Sequence, residues 1–262
     1  GKQIVCENWR NLITVGAKPI AITNCLNFGN PENKEIMGEF AECLEGMKEA
    51  CEFLNFPVVS GNVSFYNGTN KKNIYPTPVI GGVGLINKLS KPLSHNFKKD
   101  NSNLILIGKT FGHLEQSCFL KENFSIAEGM PPEANLLNEK NNGEILLKLI
   151  DRNLILASHD VSDGGLITAL SEMSLTSDYG AKINKPKKLT NLFEYFFGED
   201  QARYIIEVDN TNLSKVEKLL KENDIYYENI GFTQKEFLEI EGELKISIKD
   251  LFKINNQWYN KY

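Results

Sequence analysis

The stretch from Pro19 to Phe65 constrains the fold most, because an amphipathic segment between two short β-branched runs has few ways to bury its apolar residues. Ile36, Phe40, Leu44, Met47, Cys51 and Leu54 recur at steps of three and four, which predicts a helix with one apolar stripe. Asn30-Pro31 supplies a start signal, an amide cap followed by a residue that tolerates the first helical position. Ile20 to Thr23 and Val58 to Ser60 read as buried strands. Strand, helix and strand in that order predict a βαβ unit with parallel strands, whose following loops open on one edge of the sheet.

Those two loops are where chemistry is expected. Asn24-Cys25-Leu26-Asn27-Phe28-Gly29-Asn30 brings three side-chain amides, and Ser60-Gly61-Asn62-Val63-Ser64 brings a glycine, an amide and two hydroxyls. Glycine lets a ligand approach the backbone, and amide or hydroxyl oxygens suit a hard cation or a phosphate. Ordinary turn chemistry uses the same residues, so the types alone leave both readings open.

The remainder of the chain is consistent with a packed α/β protein. Its 262 residues are 41% hydrophobic and 24% charged, enough for one large or two modest domains. A net charge of −5 argues against a nucleic-acid surface. No apolar run has membrane-spanning length and the start GKQIVCENWRN lacks a signal-peptide core, so the expected location is the cytoplasm. Five cysteines without a CxxC pair read as reduced, mostly core thiols; Cys25 as a nucleophile lacks a nearby base in the sequence.

Residues 2 to 15 read as a helix ended by Gly16, Asn67-Gly68 as a tight turn, and Tyr75 to Ile86 as a glycine-bearing strand suited to close backbone approach or to pairing with another copy or half. The Lys/Asn/Ser-rich stretch from Asn87 to Asn103 marks a boundary, giving domains at 1–95 and 100–262. In the second, Leu104 to Ile107 begins a strand, and Glu133 to Ile150 forms one helix or two joined at Asn141-Asn142-Gly143. Leu154 to Ala157 runs into Ser158-His159-Asp160-Val161-Ser162-Asp163-Gly164-Gly165 and a helix from Leu166 to Leu175. That helix start could hold an anion on its N–H groups, or Ser162 or Asp163 could simply cap it; His159 and Asp163 alone make no metal site. Glu199 and Arg203 read as a surface ion pair, 211–223 as an amphipathic helix, and Ile225 to Phe232 and Phe237 to Ile240 as strands before a short helix around Leu251 and Phe252.

Four ordered motifs, ITNCLNFGNP, SGNVSFYN, YPTPVIGGVGLI and SHDVSDGG, together resemble the second half of phosphoribosylformylglycinamidine synthase, from about the first residue to the last. The resemblance implies an aminoimidazole ribotide synthetase-like (PurM-like) fold: an N-terminal ATP-binding domain truncated at its start, with strands left unpaired, plus a PurM-like C-terminal α/β domain. It implies ATP and Mg²⁺ as cofactors and formylglycinamide ribotide as substrate. By motif, Asn24 and Gly61 stand where ATP is contacted, Asn62 where a magnesium ligand sits and Ser64 where the ribotide is held, while His159 and Asp163 lie on a phosphate- or substrate-facing turn. Position 24 is often Asp in that family, so Asn24 departs in charge though not in shape. The catalytic histidine and acidic magnesium ligands belong to the family's first half, so no catalytic residue is expected here. The implied partners are that first half, a glutaminase subunit supplying ammonia and a small accessory subunit. Two other readings remain: a module that holds nucleotide without turning it over, and another enzyme of the fold such as selenophosphate synthetase, thiamine-phosphate kinase or aminoimidazole ribotide synthetase.

Overall fold

Helix α1 (Lys2–Thr14) places Val5, Cys6, Trp9 and Ile13 on one buried stripe and stops at Gly16, whose φ of +78° is a left-handed value open to glycine. Burial pushes the Cys6 thiol up to about 12, which makes it an inert core group. The arrangement comes from a computed structural model that describes residues 1–86, 93–186 and 191–261; residues 87–92, within the expected boundary stretch, lie outside the described residues.

The first sheet is built from β1 (Lys18–Asn27), β2 (Val58–Ser64) and a third strand farther along the chain. Helix α2 (Lys34–Leu54) makes the crossover that lets β1 and β2 run parallel. Its buried stripe is Ile36, Cys43, Met47, Ala50 and Leu54, so Leu44 turns outward, one step off the expected line. Asn33, not Asn30, caps the helix: its side chain accepts from the Glu35 N–H, while Asn30 accepts from Glu32 N in a preceding turn. A small hairpin, β3 (Gly68–Thr69) and β4 (Lys72–Asn73), turns at Asn70-Lys71, both at positive φ, rather than at Asn67-Gly68. Strand β5 (Thr77–Leu85) then pairs antiparallel with β1, giving the order β2-β1-β5.

The second sheet shows why Leu104 to Ile107 is an unbroken apolar run. In β6 (Asn103–Ile107), Leu104 and Leu106 join one core and Ile105 and Ile107 the other, so both faces are covered. Next come α3 (Cys118–Phe124), α4 (Leu136–Asp151), β7 (Ala157–Asp160), α5 (Gly165–Leu175), β8 (Tyr179–Ile183), α6 (Leu192–Phe197) and β9 (Tyr204–Val208). The chain continues with α7 (Leu213–Glu222), β10 (Tyr227–Lys235), β11 (Phe237–Ile240), β12 (Leu244–Ser247) and α8 (Ile248–Gln257). The strand order is β12-β11-β8-β10-β6-β9-β7, antiparallel except for β11 on β8. The α/β class with α+β character and the amphipathic α7 follow the sequence expectation.

Asn141-Asn142-Gly143 does not split α4. A Cβ at Gly143 would overlap the indole ring of Trp9, so the glycine lets α1 lie against α4, and Asn142 donates to the Ala202 carbonyl at 2.8 Å. One hydrophobic core therefore runs from α1 and α2 across to β6, β9, α4 and α7.

Candidate functional site

The amide and glycine motifs are strand residues, not loops. Asn24–Asn27 pair with β2 on one side and β5 on the other, and this double pairing carries β1 past its apolar run. Gly61 to Ser64 likewise extend β2. In register, Asn24 faces Gly61, Cys25 faces Asn62 and Asn27 faces Ser64. Side chains alternate across a sheet, so Asn24 and Gly61 share the face that α1 covers near Gly82, whereas Asn62 and Ser64 share the opposite face with Val79 and Thr77. The structure thus brings the four residues to one strand pair and divides them between two faces. Both faces meet at β2, which lies at the edge of the three-stranded sheet and is exposed from Val58 to Val63.

Local hydrogen bonds fix this end of the sheet. Asn67 Nδ2 donates to the carbonyls of Phe28 and Ser64, each at 3.0 Å, and lies 3.1 Å from Ser64 Oγ. Asn73 Oδ1 accepts from Asn30 N at 3.0 Å. Below them Phe28, Phe40 and Phe65 meet edge to face, so the turn after β1 rests on an aromatic floor. Gly61 is required by contact: a Cβ there would overlap Asn24 Oδ1 and lie 2.8 Å from the Asn24 carbonyl oxygen. The cysteines are free thiols, Cys25 among them, on the open face beside Asn62.

The second motif is organised differently from the sequence expectation. His159 belongs to β7, and its ring points to Glu172 of α5, with Nε2 to Oε2 at 3.0 Å, and to Asp160 Oδ1 at 3.4 Å, while Asp163 is exposed in the turn before α5. The cap of α5 is Gly164, with φ of +74°, instead of Ser162 or Asp163. The cap N–H already has an internal acceptor: Glu199 Oε1 accepts from Gly164 N and from Cys118 N, both at 2.8 Å. Asp200 fills a similar cradle, accepting from the N–H groups of Phe111, Gly112 and His113. Glu199 and Arg203 are therefore not a surface ion pair. Arg203 is fully buried and donates to the carbonyls of Asp200 and Gly198 and to Thr110 Oγ1, which ties the turn from inside.

Burial disfavours charge on His159, but its hydrogen bonds to Asp160 and Glu172 outweigh that and hold its pKa up at about 9. His95, edge to face at 5.3 Å, is pushed down by burial and by the charge on His159. A histidine raised on folding stabilises fully below its unfolded value near 6.5, and that contribution disappears as pH rises to about 9. Urea denaturation across that window should show a loss of up to about 3 kcal/mol in the native chain. In His159→Gln the profile should be flat, and an equally sloped profile would remove the assignment.

Sequence reading missed the buried group behind this turn. Arg10 Nη1 meets Glu139 Oε1 at 2.5 Å, with both side chains out of solvent, and both Nη atoms reach Gln201 Oε1 at 3.2 Å. The signal was present: Arg10 sits four residues after Cys6 and three before Ile13, on the apolar stripe of α1.

Residues 1–86 match the AIR synthase related protein N-terminal domain, and residues 99–240 match the C-terminal domain of the same family. Over 262 residues the chain is 54% identical to the phosphoribosylformylglycinamidine synthase subunit PurL of Pelagibacter ubique, and 46% identical over 263 residues to that of Bradyrhizobium diazoefficiens. Each alignment takes in 100% of this chain and 36% of the relative, so the chain spans about a third of the length of these relatives. Thermotoga maritima PurL complexed with FGAR has a TM-score of 0.73 at 14% identity, covering 95% of this chain and 42% of that one. The same protein complexed with ATP gives 0.71 at 14% identity, covering 95% and 40%. At that identity the likeness concerns the fold alone.

Proposed function

Because the chain belongs to the AIR synthase related protein family, matching its two domains in order, we propose that it is the nucleotide-holding second half of a phosphoribosylformylglycinamidine synthase. In this reading the whole enzyme is an ATP-dependent carbon–nitrogen ligase of the cytoplasm that converts formylglycinamide ribotide and ammonia to the amidine. A first half supplies the catalytic histidine and acidic metal ligands, a glutaminase subunit the ammonia, and a small accessory subunit joins them. The division into domains falls between about residues 95 and 100. Support comes from the names of the relatives and from neighbours of the same fold complexed with ATP and with FGAR. Among the described residues no helix is long and apolar enough to cross a membrane.

The observation that carries the proposal is the register at β2, where Asn24 meets Gly61 and Asn62 follows at an exposed sheet edge. Ligands of α/β sheets collect at the carboxyl ends of parallel strands, and these residues run through the middle and carboxyl-terminal parts of β1 and β2. The Asn24 side chain fills the space a Cβ would take at Gly61, so the two residues form one close contact between β1 and β2, and ATP would meet the Asn24 amide beside the Gly61 backbone. Asn62 would give one amide oxygen to Mg²⁺. Among the described residues no three His, Cys, Asp or Glu side chains cluster to hold a metal, so the cation would rest chiefly on the triphosphate and the first half. When bound, ATP activates the formamide oxygen for replacement by ammonia, with magnesium offsetting triphosphate charge. Ser64, fixed by Asn67, would hold the ribotide; Asp163, exposed in its turn, would face a substrate, whereas His159 bonds Glu172.

In a second reading the nucleotide is held permanently and is not turned over. Calorimetric titration with ATP separates the pieces: affinity should rise with Mg²⁺ in the native protein and lose that dependence in Asn62→Ala. A variant with an unchanged magnesium response would remove Asn62 from the site. Nucleotide that survives purification and resists exchange would favour the permanently held version.

A further inference from the structure

We propose that a cavity of about 670 Å³ beside Gln201 is a second ligand site, shaped for an amino-bearing nucleobase and set against phosphate by its carboxylates. It lies between the loop after β6, the first turn of α4 and the segment Asp200–Ala202; no residue of it belongs to β1 or β2. It therefore stands apart from the strand-edge reading.

The floor is supported from behind by buried polar side chains. Arg10, 1% exposed, directs both Nη atoms at Gln201 Oε1. Asn142 holds the Ala202 carbonyl, and Ala202 itself takes a left-handed φ of +60°, a conformation that a non-glycine residue keeps only when its surroundings enforce it. A guanidinium only donates, so the Gln201 oxygen must face Arg10 and its NH₂ must face away. One of those N–H groups reaches the Glu199 carbonyl at a long 3.4 Å. The other is a pre-set donor for an acceptor atom in the cavity.

The remaining lining selects the class of ligand. The backbone N–H groups of Phe111 and Gly112, which would otherwise cradle an anion, are each 2.9 Å from Asp200 Oδ2, and Glu194 adds further negative charge at the wall. A phosphate would meet the carboxylates of Asp200, Glu194, Glu115 and Glu133, with only the neutral amides of Gln201, Asn135 and Asn138 to donate to it. A base carrying an amino group matches the set: its ring nitrogen accepts from Gln201, as glutamine pairs with adenine, and its amino group donates to a carboxylate. Phe111, 72% exposed on the cavity lining, offers a ring face for stacking.

The test is adenosine titrated into the ¹⁵N-labelled 262-residue chain, followed at the amides of Gly112, His113 and Gln201. Saturable shifts are expected there. Gln201→Glu, which replaces the donor by an oxygen, should raise Kd about tenfold or more, a loss typical of one polar contact. Phe111→Ala, at an exposed position that folding does not need, should raise it several-fold. AMP should bind no more tightly than adenosine at these amides, and Gly61→Ala should leave the response intact even if the strand-edge site fails. The proposal is overturned if millimolar adenosine moves none of these amides, if neither lining variant changes Kd, or if AMP or inorganic phosphate binds there more tightly than adenosine.

Discussion

Arg10→Ala should lower the stability of the chain by about 3–5 kcal/mol, the cost of leaving a buried carboxylate without its partner. Arg10 and Glu139 are 1% and 0% exposed, and the pair joins α1 to α4 across the shared core. Burial already pushes the Glu139 carboxyl up, against the pull of Arg10. With the guanidinium gone that carboxyl should take up a proton. A carboxyl raised on folding stabilises at low pH and loses that contribution as pH rises above its unfolded value, so the variant should weaken from about pH 4 upward. The paired replacement Arg10→Met with Glu139→Leu removes both charges from the core and should fall within about 1 kcal/mol of the native chain, or exceed it. Urea denaturation of the three proteins decides the matter. A single variant that costs less than about 1 kcal/mol would mean that water reaches the pair.

Gly61→Ala should have the opposite profile, a small effect on folding and a large one on nucleotide. β2 is an exposed edge strand, so the cost in stability should stay near 1 kcal/mol. At the proposed site, however, the new methyl must displace Asn24 Oδ1 and press on the Asn24 carbonyl at 2.8 Å, which moves the amide assigned to ATP. ATP affinity should fall roughly a hundredfold, equivalent to ~2.7 kcal/mol. Titration calorimetry in the presence of the first half would show it. Unchanged affinity, with β2 still paired, would move the nucleotide elsewhere.

The parts of the fold legible in the sequence are those where periodicity and burial agree. The α1 and α2 stripes each satisfy one regular element and one core, and the Leu104 to Ile107 run satisfies one strand covered on both faces, so local pattern and packing give the same answer. Where an element is held by neighbours distant in sequence, the pattern is silent. Asn24 to Asn27 look like a turn because amides are poor strand formers, yet two flanking strands keep them extended. Glu199, Asp200 and Arg203 look like surface charge because such residues usually are; only the fold brings the N–H groups of Phe111, Gly164 and their neighbours to the two carboxylates. Asn33 displaced Asn30 as the cap because the proline turn occupies one more residue cluster before the helix begins. For the candidate site, the motifs located the strand pair, while its division between two faces followed from a register that no single segment encodes.

The most direct test of a shared ATP site is ADP release from Mg-ATP with formylglycinamide ribotide and ammonia, measured for the chain alone, for the first half alone and for the two mixed. The half-site account predicts ADP only on mixing, and loss of that activity when the chain carries Asn62→Ala. Substrate-dependent ADP release by this chain alone, or none from a folded complex of the two halves, would contradict it.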